Sequence, residues 1–237
     1  MKKEMKRITA IFFSMIIIAS ANAQNLDNII QRHLKAVNAE KRSQFKSLVI
    51  KGSINMQGME LGMEMYEKAP DKLKSVSTFN GAEIIQVING DRGYMVNPLM
   101  GSPDPVPLNK NQIASVKINS MLNTNIEKYY TEKKMELEGE ESVSGRPAFK
   151  IKIEAPEGTR YIFVDKETYY ITQTRLMVNQ MGNDITIDLR MSDFDSFDGI
   201  IVATTINTFM KGQPAGTAKY NTIEFNKDID DSVFEIK

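Results

Sequence analysis

The sequence predicts a mainly β, α+β chain, and three observations carry that expectation. From Leu48 onward, apolar residues recur at every second position in one segment after another. Asn-Gly, Asp-Gly and other glycine-bearing turns separate those segments at short intervals. Two stretches, one at the start and one in the middle, switch instead to the three- and four-residue steps of an amphipathic helix. Together they give about eleven or twelve short antiparallel strands with two helical regions. Nothing between them reads as a linker, so residues 24–237 are expected to form a single domain.

The first residues stand apart from that pattern. Lys2, Lys3, Lys6 and Arg7 precede an apolar run from Ile8 to Ala19, and Ala21-Asn22-Ala23 follows with small residues where a signal peptidase needs them. The apolar run, about 12 residues, is shorter than the roughly 20 that cross a bilayer as a helix. Residues 1–23 therefore read as a cleaved secretory signal, and the mature chain as an exported one whose lack of cysteine suits a bacterial periplasm. The chain has no cysteine, which excludes disulfides and a lipid anchor at the cleavage site. Its 30 Lys+Arg against 30 Asp+Glu become a mildly acidic balance once the basic signal is removed, which argues against nucleic acid as a partner.

The mature chain opens on a helix whose apolar face carries Leu26, Ile29, Ile30, His33, Leu34 and Val37. At Leu48 the period changes to two. Leu48, Ile50, Ile54 and Met56 form one strand, and Met59, Leu61, Met63 and Met65 alternate with Glu60, Gly62 and Glu64 in the next. Pro70-Asp71 marks a turn, Leu73–Phe79 a strand and Asn80-Gly81 another turn. Ala82–Ile88 is apolar at both parities, and Tyr94-Met95-Val96 follows Asn89-Gly90. Pro103, Pro105 and Pro107 then sit at alternate positions and are expected to interrupt pairing. Asn109 with Gln112 three residues on is a capping signature for a helix bearing Ile113, Val116, Met121 and Leu122. After Tyr130 the strands resume in a polar edge around Glu138, Glu140 and Glu141. They continue around Phe149–Ile153, Tyr161–Val164, Ile171–Val178, Ile185–Met191, Val202–Met210 and Ala218–Phe225. The tail from Asp230 has room for one helical turn.

Chemistry is excluded more readily than assigned. His33 is the single histidine, so multi-histidine metal sites and a histidine-activated Ser192 or Ser196 are ruled out. Asp193, Asp195 and Asp198 mimic a calcium loop, but the third acid falls one residue late and Thr204 stands where the bidentate Glu belongs, so an Asp-rich hairpin turn is expected. No phosphate loop, zinc-protease motif or nucleophile elbow is present. The chain reads as a non-enzyme with no cofactor and no metal. The positive anomaly is methionine, 15 in all, a flexible and polarizable side chain suited either to core filling or to a wall that accepts acyl chains of varied shape.

The stretches YEKAPDKLKSVSTF and AEIIQVINGDRGYMVNP, with SDFDSFDGIIVATTI and the ending DDSVFEIK, give the chain a resemblance to the LolA-like superfamily, the periplasmic lipoprotein carriers and outer membrane lipoprotein-sorting proteins. Lys68, Pro70, Lys72, Lys74, Asn89, Gly90, Tyr94, Asn97 and Pro98 fall on that pattern. The resemblance implies an unclosed, strongly curved antiparallel half-barrel covered by helices. Its concave face receives acyl chains of lipoproteins or other lipids, for a monomeric carrier or sensor that also meets envelope membrane proteins. One position departs: the carriers have arginine immediately before the proline, where this chain has Ala69, with Lys68 on the opposite face. General lipid or lipoprotein binding is then the implied function. The expected wall is Leu61, Met63, Met65, Ile85, Val87, Tyr94, Val96, Ile151, Phe163, Ile187 and Leu189. Leu99, Met100, Ile113, Val116 and Met121 are expected to gate its mouth. Each strand's parity is an inference, since a shift of one residue exchanges the faces. The alternative is an envelope scaffold or regulatory protein-binding module without lipid.

Overall fold

The computed structural model describes residues 25–56, 58–117, 120–122, 124–155, 158–180 and 183–235; the expected signal, residues 1–23, lies outside them. Helix α1 spans residues 25–36 and is followed by the single turn α2, Ala39–Arg42. A first run of strands comprises β1 (Ser47–Met56), β2 (Met59–Lys68), β3 (Lys72–Phe79), β4 (Ala82–Asn89), β5 (Arg92–Asn97) and β6 (Ser102–Pro107). Helices α3 (Lys110–Lys117) and α4 (Ile126–Thr131) come next. A second run holds β7 (Met135–Val143), β8 (Arg146–Ala155), β9 (Gly158–Asp165), β10 (Ile171–Gln180), β11 (Asn183–Phe197), β12 (Ile200–Met210) and β13 (Gln213–Phe225). Among the described residues no helix is long and apolar enough to cross a membrane.

All thirteen strands form one sheet in the order β6-β5-β4-β3-β2-β1-β13-β12-β11-β10-β9-β8-β7. Each run is a simple antiparallel meander, and the pairing of β1 with β13 joins the two. The sheet stays open between β6 and β7, and the connection through α3 and α4 crosses from one edge to the other. This is an unclosed half-barrel. Register shifts at Lys51/Gly52, Ile171/Gln173 and Thr208/Phe209 help to bend it. At the first of these the strands approach so closely that a Cβ on Gly52 would lie 1.9 Å from the Lys219 carbonyl oxygen.

The proline segment corrects the expectation drawn from it. It pairs with β5, through Tyr94↔Pro107 and Met95↔Val106, and forms an edge strand. Backbone nitrogens alternate sides along a strand, and Leu108 N–H donates to Gly93 at 2.8 Å, so the Pro107 nitrogen faces away from β5. Pro107 therefore puts its missing donor on the open edge, while Pro103 and Pro105 fall where the register shifts against Met95 and Asn97. The turn and cap signals act as read. Asn80 and Gly81 both take positive φ, 49° and 82°, as a tight hairpin needs. Asn109 Oδ1 accepts from Gln112 N–H at 3.0 Å, while Gln112 Oε1 accepts from Asn109 N–H at 2.9 Å. The tail forms a 3-10 turn, Asp231–Phe234, with Asp230 as its N-cap.

Register assigns every strand residue to one of two faces. On the face that the helices cover, Ile29, Ile30, Ile126 and Tyr129 pack on Met135, Ile151, Ile153, Ile162 and Val164. Leu122 packs there on Leu48, Ile50, Met63, Ile200, Val202 and Ile223. We call this face the inner one. The outer face of β1–β5 is covered by the tail, whose Ile229 and Phe234 lie on Val49 and Val87. Burying an aliphatic side chain such as Ile29 or Ile30 contributes about 1.5–3 kcal/mol.

His33, on the buried face of α1, donates from Nδ1 to the Tyr169 carbonyl at 2.8 Å. Burial, reinforced by Arg42, lowers its pKa from 6.5 to about 4, although the Tyr169 bond opposes the shift. Above pH 6.5 the ring is neutral in folded and unfolded chains alike. Between pH 6.5 and about 4 the unfolded chain takes up a proton that the folded chain refuses, so stability falls by about 3 kcal/mol across the window. Urea unfolding from pH 7 to 4 is expected to show this loss in the native chain and a shallower one in His33→Leu.

Candidate functional site

The inner wall follows from strand parity. The pairs Ile50↔Met65, Gly52↔Met63 and Ile54↔Leu61 place Leu61, Met63 and Met65 beside the inner residues of β1. Ile187 and Leu189 lie on the same face, opposite Met210 and Thr208, and Ile151 lies beneath α1 and α4. On β2, β8 and β11 the residues expected in the wall therefore face inward. On three other strands they face outward. Ile85 and Val87 pair with Val96 and Tyr94, and all four face outward, under or beside the tail. The inner residues there are Ile84, Gln86, Ile88, Gly93 and Met95. Phe163 likewise points outward with Val143 and Ala148, under the Arg175 guanidinium at 5.1 Å.

The two ends of the half-barrel differ. At one end the crossing segment closes the interior. Ile113 of α3 packs against Gly93, where a Cβ would lie 2.9 Å from its Cγ1, and Val116 is half-buried on the same helix. Beyond α3, the inner carboxylate of Glu67 holds the chain. It accepts from Ser120 Oγ at 2.7 Å, Met121 N–H at 2.8 Å and Leu122 N–H at 2.9 Å. Burial raises the Glu67 pKa, and these bonds and Arg42 oppose the rise. Tyr220, on the same face, is pushed up to about 12 by burial and by the Glu67 charge.

At the other end, the β1–β2, β3–β4, β5–β6 and β12–β13 tips gather in a rim. Met56, Met59, Leu99 and Met210 are 47%, 49%, 53% and 43% exposed there. Leu99 is thus separated from Ile113, Val116 and Met121, which sit at the closed end, so the expected gate is split between two places. Met100 ends the short turn Pro98–Met100; its side chain lies outside the described part. Between rim and closed end runs a strip of half-buried inner residues: Ile54, Leu176, Ile187, Leu189, Met191 and Ile206. The alternate positions are mostly polar, with Met177 the exposed exception. Arg175 binds Asp188 at 2.7 Å on the outer face, and Arg190 donates to Gln173 at 3.2 Å.

Two features escaped the sequence reading. Glu67 continues the parity of Leu61, Met63 and Met65, so the alternation itself was the signal that it turns inward. Arg160 is buried on the inner face over Tyr129, its guanidinium 5.0 Å from the ring; the apolar run that follows it gave no hint of this. Lys68 does lie on the outer face, where it donates to the Ile229 carbonyl and to Asp231, each at 2.7 Å.

An open antiparallel half-barrel with helices on an apolar inner face defines the LolA-like fold. Over 87% of this chain and 97% of the other, it superposes on a LolA superfamily protein from Nitrosomonas europaea with a TM-score of 0.59 at 13% identity. A protein assigned as an outer membrane lipoprotein-sorting domain, from Vibrio parahaemolyticus, gives 0.57 at 11% identity, covering 86% of this chain and 97% of its own. A DUF1329 family protein from Desulfovibrio piger gives 0.57 at 15% identity, covering 88% and 96%. No family model and no curated protein matches the sequence.

Proposed function

We propose that the protein is a periplasmic carrier or sensor that binds the acyl chains of lipoproteins or other lipids along its inner wall. The observation that carries this reading is the half-buried strip Ile54, Leu176, Ile187, Leu189, Met191 and Ile206. It is apolar, lies inside the half-barrel, and opens at a methionine-bearing rim. Each acyl methylene moved from water onto such a wall contributes roughly 0.8 kcal/mol. Binding of this kind needs no catalytic group, so the protein acts as a single-domain, monomeric non-enzyme that exchanges cargo with envelope membrane partners. Native mass spectrometry of the exported protein, purified without detergent, tests it: bound species in the mass range of lipids are expected, and repeated lipid-free preparations contradict it.

The exposed rim favours one further reading, a scaffold that docks a protein on Met56, Met59, Leu99 and Met210 without taking lipid. Substitution of these four by serine then abolishes partner capture while no lipid is ever found inside.

A further inference from the structure

A pocket of about 410 Å³ lies on the outer face, remote from the inner wall. Its lining is Val87 and Asn89 from β4, Arg92 and Tyr94 from β5, and Phe234 and Glu235 from the tail. Val87 and Phe234 are buried, at 3% and 2% exposure, and make an apolar floor. Four residues with polar side chains line the pocket beside that floor: Arg92, Asn89, Tyr94 and Glu235. None of these side chains is hydrogen-bonded or ion-paired to another described residue, whereas neighbouring Lys68 and Lys72 are both engaged by Asp231 at 2.7 and 2.9 Å. Among the described residues, a cation and an anion thus stand unpaired over one apolar pocket. Lys74, opposite Val87 in register, adds a second positive charge to the same face.

We infer that this pocket binds a small zwitterion with an apolar body, an α-amino acid or a short peptide with free ends. Arg92 and Asn89 take the carboxylate, Glu235 takes the ammonium, and the side chain lies on Val87, Phe234 and the Tyr94 ring. The volume is of the size that small-molecule sites have, and the arrangement of a few convergent polar groups around an apolar floor is theirs too. An acyl chain alone satisfies neither charge, which separates this site from the inner wall.

The test is a calorimetric or NMR titration of the full exported protein with phenylalanine, N-acetylphenylalanine, phenylalanine amide and octanoate. A ligand of this size is expected to bind with a Kd of about 1 mM, and capping either end is expected to weaken it at least tenfold. Arg92→Gln should abolish the preference for a free carboxylate, and Glu235→Gln the preference for a free ammonium; both residues are exposed, so the fold tolerates the changes. Equal binding of all four probes, octanoate binding that displaces phenylalanine, or no binding of phenylalanine at 10 times that concentration overturns the inference. Leu189→Trp, on the inner wall, should leave phenylalanine binding unchanged, so a failure of acyl binding and a failure at this pocket are read separately.

Discussion

Leu189→Trp is expected to lower the affinity for a long-chain fatty acid about 100-fold, the largest functional effect of any single substitution in this chain. Leu189 stands half-buried in the middle of the inner strip, between Thr174 of β10 and Thr208 of β12. An indole in its place covers part of the strip on which the proposed acyl chain lies. Displacing three or four methylenes at roughly 0.8 kcal/mol each removes about 3 kcal/mol, which corresponds to that factor. The control is Met177→Trp on neighbouring β10. Met177 faces outward, paired with Thr186, and is 49% exposed, so the same bulk there should leave affinity unchanged. The chain has no tryptophan of its own, so each variant also reports its own environment by fluorescence. Equal loss in both variants would point to general destabilisation instead of a blocked wall.

Glu67→Ala is expected to be the most damaging change to stability, by about 3–5 kcal/mol. It strips the acceptor from Ser120, Met121 and Leu122 together and leaves their donors buried. Arg42 and Tyr220 also lose the negative charge that acts on them. Glu67→Gln keeps one carbonyl oxygen and should lose less. Denaturant unfolding gives the stability, and hydrogen exchange gives the location: amides of Met121 and Leu122 should exchange sooner in the alanine variant than those of Ile151, which lies under α1. Uniform exchange changes would show that Glu67 does not act through the crossing segment.

How much of this was legible in the sequence depends on which faces are covered. Where one face of a strand is polar, alternation reads correctly. On β11, Ile187 and Leu189 alternate with the ion-paired Asp188 and with Arg190, and their side is as expected. Where both faces are covered, alternation carries no information. β4 has Ile84 and Ile88 inside, while Ile85 and Val87 lie under the tail, so its apolar run has no parity to read. The tail that causes this is more than 130 residues away in sequence, and no local pattern announces it. β9 is similar, with Ile162 inside and Phe163 outside, both buried. The proline strand misled for another reason: proline forbids a central strand but suits an edge, and only the sheet order distinguishes the two. Turn and cap signals, which depend on local backbone geometry alone, were legible at Asn80-Gly81 and at Asn109 with Gln112, although that helix ends at Lys117, short of Met121 and Leu122.

In the proposed function an apolar chain lies against the inner wall. Photolabelling with a fatty acid that carries a mid-chain diazirine tests it most directly. Irradiation of the complex followed by peptide mapping should place the adducts on Leu176, on Ile187–Met191 and on Ile206. Adducts concentrated instead on Val87, Tyr94 and Phe234 would put the chain on the outer face and contradict the account.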